Sequence, residues 1–195
     1  DRVNPTYLEV SFSIACNFKC SYCSPNISSA WRQEVRKFGP NFGSLTGLHS
    51  HIDPSCPEHL NPYIAAFWQW WPELSQTLEV FRVTGGEPLL SSNTWKIFDL
   101  LLSDPRPNLE FNVNSNMGVD SSLIEKLVNS VTAVLPNIKR FMMYTSADTY
   151  GADAEYARNG LVWSDFERNV ERFLSIPSSG GQVKLGFMVT YNVFS

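Results

Sequence analysis

Charge is scarce in this chain of 195 residues: Asp, Glu, Lys and Arg make up 17%, and 15 basic against 19 acidic side chains leave a formal charge of -4. Soluble domains ordinarily carry about 25% charged residues. There is no basic excess to track a phosphate backbone, which argues against a nucleic-acid binder of the electrostatic kind. No apolar run approaches the ~20 residues of a membrane span. The opening DRVNPTYLEV has neither the basic start nor the apolar stretch of a secretory signal. Spread, paired cysteines are also lacking. Three of the four Cys fall between positions 16 and 23, which speaks against a disulfide framework and for a metal in a reducing, cytoplasmic compartment. What the chain does have is apolar bulk: 43% hydrophobic and 13% aromatic residues, enough to build a core and too much for disorder.

The patterning along the chain predicts one domain over 1–195. Tyr7 to Ser13 alternates apolar and polar residues, as a half-buried strand does, and runs straight into the cysteines. Residues 24–60 form a long insertion rich in Ser, Pro, Gly and Asn, with a helix around Ala30 to Lys37. Pro62 to Leu78 reads as a helix kinked near Pro72. A regular alternation then follows. Strands are expected at Glu79–Thr84, Leu109–Ser115, Ile138–Thr145 and Val183–Tyr191. Helices are expected at Ser91–Ser103, Ser121–Leu135 and Trp163–Ile176, the last capped by Ser164. Strands separated by helices imply an α/β fold of parallel βαβ units with right-handed crossovers. Five such strands are too few for a closed eight-stranded barrel and suit a partial, open one.

Cys16, Cys20 and Cys23 give the spacing C-x3-C-x2-C immediately after the first strand. Three thiolates at this spacing can hold three irons of a 4Fe-4S cluster and leave the fourth iron open to a small molecule. Zinc is the rival metal, but a structural site needs four closed ligands, and only Cys56 or His51 could complete it. A four-cysteine ferredoxin arrangement and a disulfide pair fit the spacing less well. Thr84-Gly85-Gly86-Glu87-Pro88 closes the next strand, with two glycines that let backbone or ligand approach closely. Asn114-Ser115-Asn116 and Ser146-Ala147-Asp148 end the following two strands, and Arg158 lies in the stretch Glu155-Tyr156-Ala157-Arg158-Asn159-Gly160. Each alone is an ordinary turn or loop. Together they fall at the C-terminal ends of successive strands, the face on which parallel βα proteins carry their sites.

C-x3-C-x-aromatic-C followed by Gly-Gly-Glu-Pro resembles the radical S-adenosylmethionine (radical SAM) superfamily, and the likeness runs from about Tyr7 to Tyr191. The resemblance implies a partial (βα)6 barrel with a 4Fe-4S cluster on Cys16, Cys20 and Cys23, and SAM on the open iron. It places Tyr22 against the adenine and Gly85, Gly86 and Glu87 at the amino group of SAM's methionine part. Asn114 and Asn116 would face the ribose, the carboxylate or the substrate. Ser146 and Asp148 would reach the ribose, and Arg158 would pair with the carboxylate of SAM. The implied chemistry is one-electron cleavage of SAM to methionine and a 5′-deoxyadenosyl radical, which takes hydrogen from a substrate. Flavodoxin or ferredoxin is the implied electron donor.

Ser28 to Trp31 (SSAW), TGGEPLL and EYARNG with Trp163 look most like the members that carry a C-terminal twitch domain. That domain and the last barrel strand are not found in the sequence, which suggests a chain truncated to its core. The substrate leans to a peptide or protein. A small-molecule enzyme similar to the deazaguanine synthases, or a non-catalytic iron–sulfur or zinc module, is the alternative. No catalytic side chain is singled out. Trp68, Trp70 and Trp71 are expected to pack, and His49, His51, His59 and Cys56 to have no chemical role.

Overall fold

Strands that alternate with amphipathic helices can bury one sheet face by laying the helices across it. The computed structural model, which describes residues 3–39, 56–178 and 181–191, does this. Five strands form one sheet in the order β1 (Tyr7–Ser11), β3 (Val80–Thr84), β4 (Arg106–Ser115), β5 (Ile138–Ser146) and β7 (Val183–Met188), each parallel to its neighbour. The principal helices are α1 (Ser29–Phe38), α2 (Pro62–Leu74), α3 (Ser92–Ser103), α4 (Ser121–Val134) and α6 (Trp163–Leu174). The expected five strands and their parallel order are therefore present, and the fold class is α/β. A parallel sheet of this kind is consistent with part of a radical SAM barrel.

The side chains alternate as the pleat requires. Phe81, Val83, Phe111, Val113, Phe141 and Met143 point to one face and are fully buried beneath the helices. Their rings form a continuous chain: Phe67 stacks on Phe81, Phe81 on Phe111, and Phe111 meets Phe98 and Phe141 edge-on at 5.1 and 5.6 Å. Each such ring contributes roughly 1.5–3 kcal/mol through burial. Trp71 belongs to this core, as expected of it, whereas Trp70 is partly exposed and donates its indole N–H to Asn4. The opposite face carries a different population. Glu9, Arg82, Asn112, Met142 and Lys184 lie in register across all five strands.

Several boundaries differ from the sequence reading. Pro72 sits inside α2 within its last turn and the helix ends at Leu74, short of Leu78. Ser164 does not cap α6. The helix starts at Trp163, whose N–H is held by the Glu155 carboxylate at 2.7 Å. A short helix α5 (Gly151–Ala157) and a two-stranded antiparallel ribbon, β2 (Lys19–Cys20) with β6 (Arg158–Asn159), were not foreseen. These elements are too short to leave a periodic signal. Of the 24–60 insertion, α1 is present and residues 40–55, with His49 and His51, lie outside the described residues. No helix among the described residues is long and apolar enough to cross a membrane.

Candidate functional site

Parallel strands all finish at one edge, so the loops that follow them are brought together there. The cysteine loop leaves β1 along the Gly85-Gly86 turn. The N–H groups of Gly86 and Glu87 donate to the carbonyls of Ser13 and Ala15 at 3.1 and 2.6 Å. The approach is so close that a Cβ on Gly86 would sit 2.4 Å from the Ala15 carbonyl oxygen, and one on Gly85 2.6 Å from that of Ser13. Gly85 also has φ +126°, which side-chain-bearing residues rarely adopt. The glycines thus seat the protein's own cysteine loop.

The loop is pinned from three further sides. Phe18, 1% exposed, is wedged between two glycines: a Cβ on Gly118 would collide with its ring at 2.2 Å, and one on Gly160 with the Asn17 carbonyl oxygen at 2.9 Å. From α1, Ser28 Oγ donates to the Phe18 carbonyl and Trp31 Nε1 donates to the Cys20 carbonyl at 2.8 Å. Ser29 Oγ accepts from the Cys16 N–H and donates to its carbonyl. The Ser-Ser-x-Trp stretch is therefore a clasp on the cysteine loop as well as a helix start. From the other side β6 pairs with β2, so Arg158 lies opposite Cys20 in the ribbon. The Ser21 N–H donates to the Ala157 carbonyl at 2.8 Å.

Cys16, Cys20 and Cys23 are free, half-buried thiols on this pinned loop. Burial raises the pKa of each, that of Cys20 to about 11, and Cys20 also responds to the field of both other sulfurs. A bound metal would remove those protons outright. Among the described residues no group of three or more His, Cys, Asp or Glu is gathered closely enough for a single ion. A four-iron cluster distributes its thiolates over several metal atoms and so does not need them gathered around one ion. The donor set fits such a cluster. Cys56 is half-buried against the Pro57 carbonyl.

Glu87 is buried, and its two carboxylate oxygens are each engaged by backbone. One accepts from the Leu89 N–H at 3.0 Å and the other from the Asn116 N–H at 2.7 Å. It thereby ties the end of β3 to the end of β4. Burial lifts its pKa to about 7 against these hydrogen bonds. Asn116 in turn donates from Nδ2 to Asn17 Oδ1 in the cysteine loop at 2.8 Å. Asn114 faces the sheet side opposite the helices, where its Oδ1 accepts from Arg82 Nε at 2.9 Å. Arg82 also lies over the Tyr144 ring at 4.5 Å and 3.7 Å from the Glu9 carboxylate. Ser146 is half-buried at the end of β5.

Beyond it Asp148 joins three segments. It receives both Nε and Nη2 of Arg158 at 2.9 and 3.2 Å, the Tyr22 hydroxyl at 2.7 Å and the Thr190 N–H at 2.8 Å. Burial opposes its charge, but these hydrogen bonds outweigh burial and hold the carboxyl below the usual range. Tyr22 is pushed well above its ordinary value by burial and by its bond to Asp148.

The twelve residues singled out in the sequence thus lie on the cysteine loop, at the strand ends of the same sheet edge, or on the β6 ribbon that pairs with that loop. Phe18, Ser28, Ser29, Trp31, Gly118, Gly160 and Arg82 were missed as parts of the site. A Phe between cysteines and two Ser before a helix are signals too common to have revealed their targets.

Curated proteins resemble the chain over part of its length. The chain is 27% identical over 110 residues to GTP 3′,8-cyclase of Nautilia profundicola, covering 56% of this chain and 27% of that protein. It is 25% identical over 170 residues to GTP 3′,8-cyclase of Sulfurimonas denitrificans, covering 87% and 42%. The match to the Campylobacter jejuni strain RM1221 enzyme of the same name is 26% over 110 residues, 56% of this chain and 27% of the enzyme. The chain therefore spans less than half the length of these curated relatives. No family model and no solved structure matches it. These distant relatives support the resemblance to the radical SAM superfamily.

Proposed function

We propose that the chain is the core of a radical SAM enzyme whose substrate is a small polar molecule, built on the partial (βα)6 barrel of that superfamily. One observation carries the reading. The three cysteines, the Gly-Gly-Glu-Pro turn, Asn116 and the Arg158–Asp148 pair come from separate stretches of chain and meet at one edge of a parallel sheet. A passive metal-binding module would need the cysteines alone.

Cys16, Cys20 and Cys23 would hold three irons of a 4Fe-4S cluster, with SAM on the fourth. When bound, these groups supply one-electron cleavage of SAM and the 5′-deoxyadenosyl radical that abstracts hydrogen from substrate. The chain's own residues orient and enclose them. Gly85 and Gly86 bring the cysteine loop against the sheet edge, and Glu87 fixes that turn beside Asn116. Tyr22 offers an aromatic face at the rim for the adenine, and Asn114 and Ser146 offer polar groups along the strand ends, while Asp148 is taken up by Arg158, Tyr22 and Thr190. An electron donor such as flavodoxin or ferredoxin, a cytoplasmic setting and a twitch domain belong to the same proposal.

The lean to a peptide substrate finds no support. The relatives are named for a nucleotide, and the sheet face opposite the helices carries Arg82 and Lys184 beside Asn112 and Asn114. With Arg82 held by Glu9 and Asn114 and Lys184 in register with Met142, this mixed polar face suits a small, polar ligand.

The test is anaerobic reconstitution with iron and sulfide, followed by SAM and dithionite, with 5′-deoxyadenosine quantified and Cys20→Ala as control. Product from the intact chain alone supports the reading, and a nucleotide that raises its rate above that with a peptide mixture supports the substrate class. A chain that takes up zinc but not iron would refute it.

A further inference from the structure

The Arg158 guanidinium has three nitrogens and two neighbours of opposite kind. Nε and Nη2 grip Asp148 in the fork-to-fork geometry that suits a carboxylate. The remaining nitrogen, Nη1, faces Cys20 Sγ at 3.9 Å. The group is 5% exposed, its partner Asp148 8%, and the ring of Tyr22 lies 5.4 Å from the guanidinium carbon. The bidentate face that would accept the carboxylate of SAM is thus already occupied by a carboxylate of the chain. The backbone of Arg158 is fixed as well, because β6 pairs it with Cys20 itself.

We propose, resting on the cluster reading above, that Arg158 is a positioning residue for the Cys20 arm. Locked by Asp148, it places a fixed positive charge beside the Cys20 sulfur and so sets the reduction potential of what Cys20 ligates. A positive charge at this range favours the reduced, more negative state. The same pair ties the cysteine loop to the segment after β7 through Tyr22 and Thr190.

The experiment compares reconstituted wild type, R158K, R158M and R158M/D148N for iron and sulfide content, SAM affinity, and EPR-monitored reduction at fixed potential. The double variant is included because R158M alone leaves Asp148 buried without its partner. All four are expected to take up iron. The reduced-to-oxidised ratio should fall about tenfold in R158M, equal to about 59 mV for a one-electron couple, and by a smaller factor in the same direction in the double variant. R158K, which keeps the charge, should stay within about threefold of wild type in both ratio and SAM affinity. Unchanged ratios in R158M and the double variant, with SAM affinity lost in R158K, would overturn the proposal and return Arg158 to the cofactor's carboxylate. Wild type that binds no iron would instead overturn the cluster reading on which it rests.

Discussion

Gly86→Ala isolates the contact between the Gly-Gly-Glu-Pro turn and the cysteine loop. The backbone of Gly86 lies outside the left-handed region, so alanine meets no conformational penalty there and the whole effect is steric. The new Cβ would stand 2.4 Å from the Ala15 carbonyl oxygen, 2.7 Å from that of Ile14 and 2.8 Å from the Ile14 carbonyl carbon. All three are backbone atoms and cannot rotate away, so residues 14 and 15 must retreat by roughly half an ångström or more. Overpacking of this kind costs about 1–3 kcal/mol. The retreat also stretches the hydrogen bonds that Gly86 and Glu87 donate to Ser13 and Ala15, about 1 kcal/mol each. A loss of about 2–4 kcal/mol lowers the melting temperature of a chain this size by roughly 5–15 °C. Because Cys16 follows Ala15 directly, iron bound per chain after reconstitution should fall in parallel. Gly151→Ala is the control. Its φ of +58° makes alanine strained, but nothing lies within 4 Å of the new Cβ, so stability should drop while iron uptake is retained. A Gly86→Ala chain with wild-type melting and full iron would refute the idea that this turn seats the loop.

Two further outcomes follow from the same contacts. Burial raises Glu87 from 4.5 to about 7, so between those values the folded chain binds more protons than the unfolded one. Its contribution to stability is therefore fully present below about pH 4.5, declines as pH rises towards 7 and is flat above, by about 3 kcal/mol in all. Urea unfolding at pH 5 and pH 8 should show this decline in wild type relative to Glu87→Gln, and equal slopes for the two would contradict it. Trp31→Phe keeps an aromatic six-membered ring but removes the indole N–H that donates to the Cys20 carbonyl at 2.8 Å. It should cost about 1 kcal/mol and raise hydrogen exchange in residues 19–23 with little change elsewhere. Unaltered exchange there would mean that α1 does not clasp the loop.

Much of this molecule was legible because its signals are either periodic or chemically rare. The five parallel strands could be read because alternation against a helix-covered face is written into each: Phe81 and Val83, Phe111 and Val113, Phe141 and Met143 all recur at period two. The cysteines and the Gly-Gly-Glu-Pro turn were visible because few structures need that chemistry at that spacing. β2, β6 and α5 escaped, since two to seven residues cannot establish a period and their existence depends on a partner distant in sequence. Trp31 and Phe18 escaped for a related reason. Their types predict packing, and packing they do, but a sequence does not say that one packs on the Cys20 carbonyl and the other between Gly118 and Gly160.

The roles assigned to individual polar residues show where resemblance and geometry part. Asp148 and Arg158 were expected to serve the same cofactor at different atoms, yet the structure joins them to each other and to Tyr22. Desolvation accounts for this. A guanidinium and a carboxylate that are both almost fully buried each leave water at a cost of several kcal/mol, which only a close, hydrogen-bonded opposite charge offsets. Once that pair exists, its remaining donor is directed by the β2–β6 ribbon, which sets Arg158 opposite Cys20. The sheet edge thus gathers the three cysteines, the glycine turn makes room for their loop, and a buried ion pair that needs no ligand of its own fixes the charge beside one sulfur.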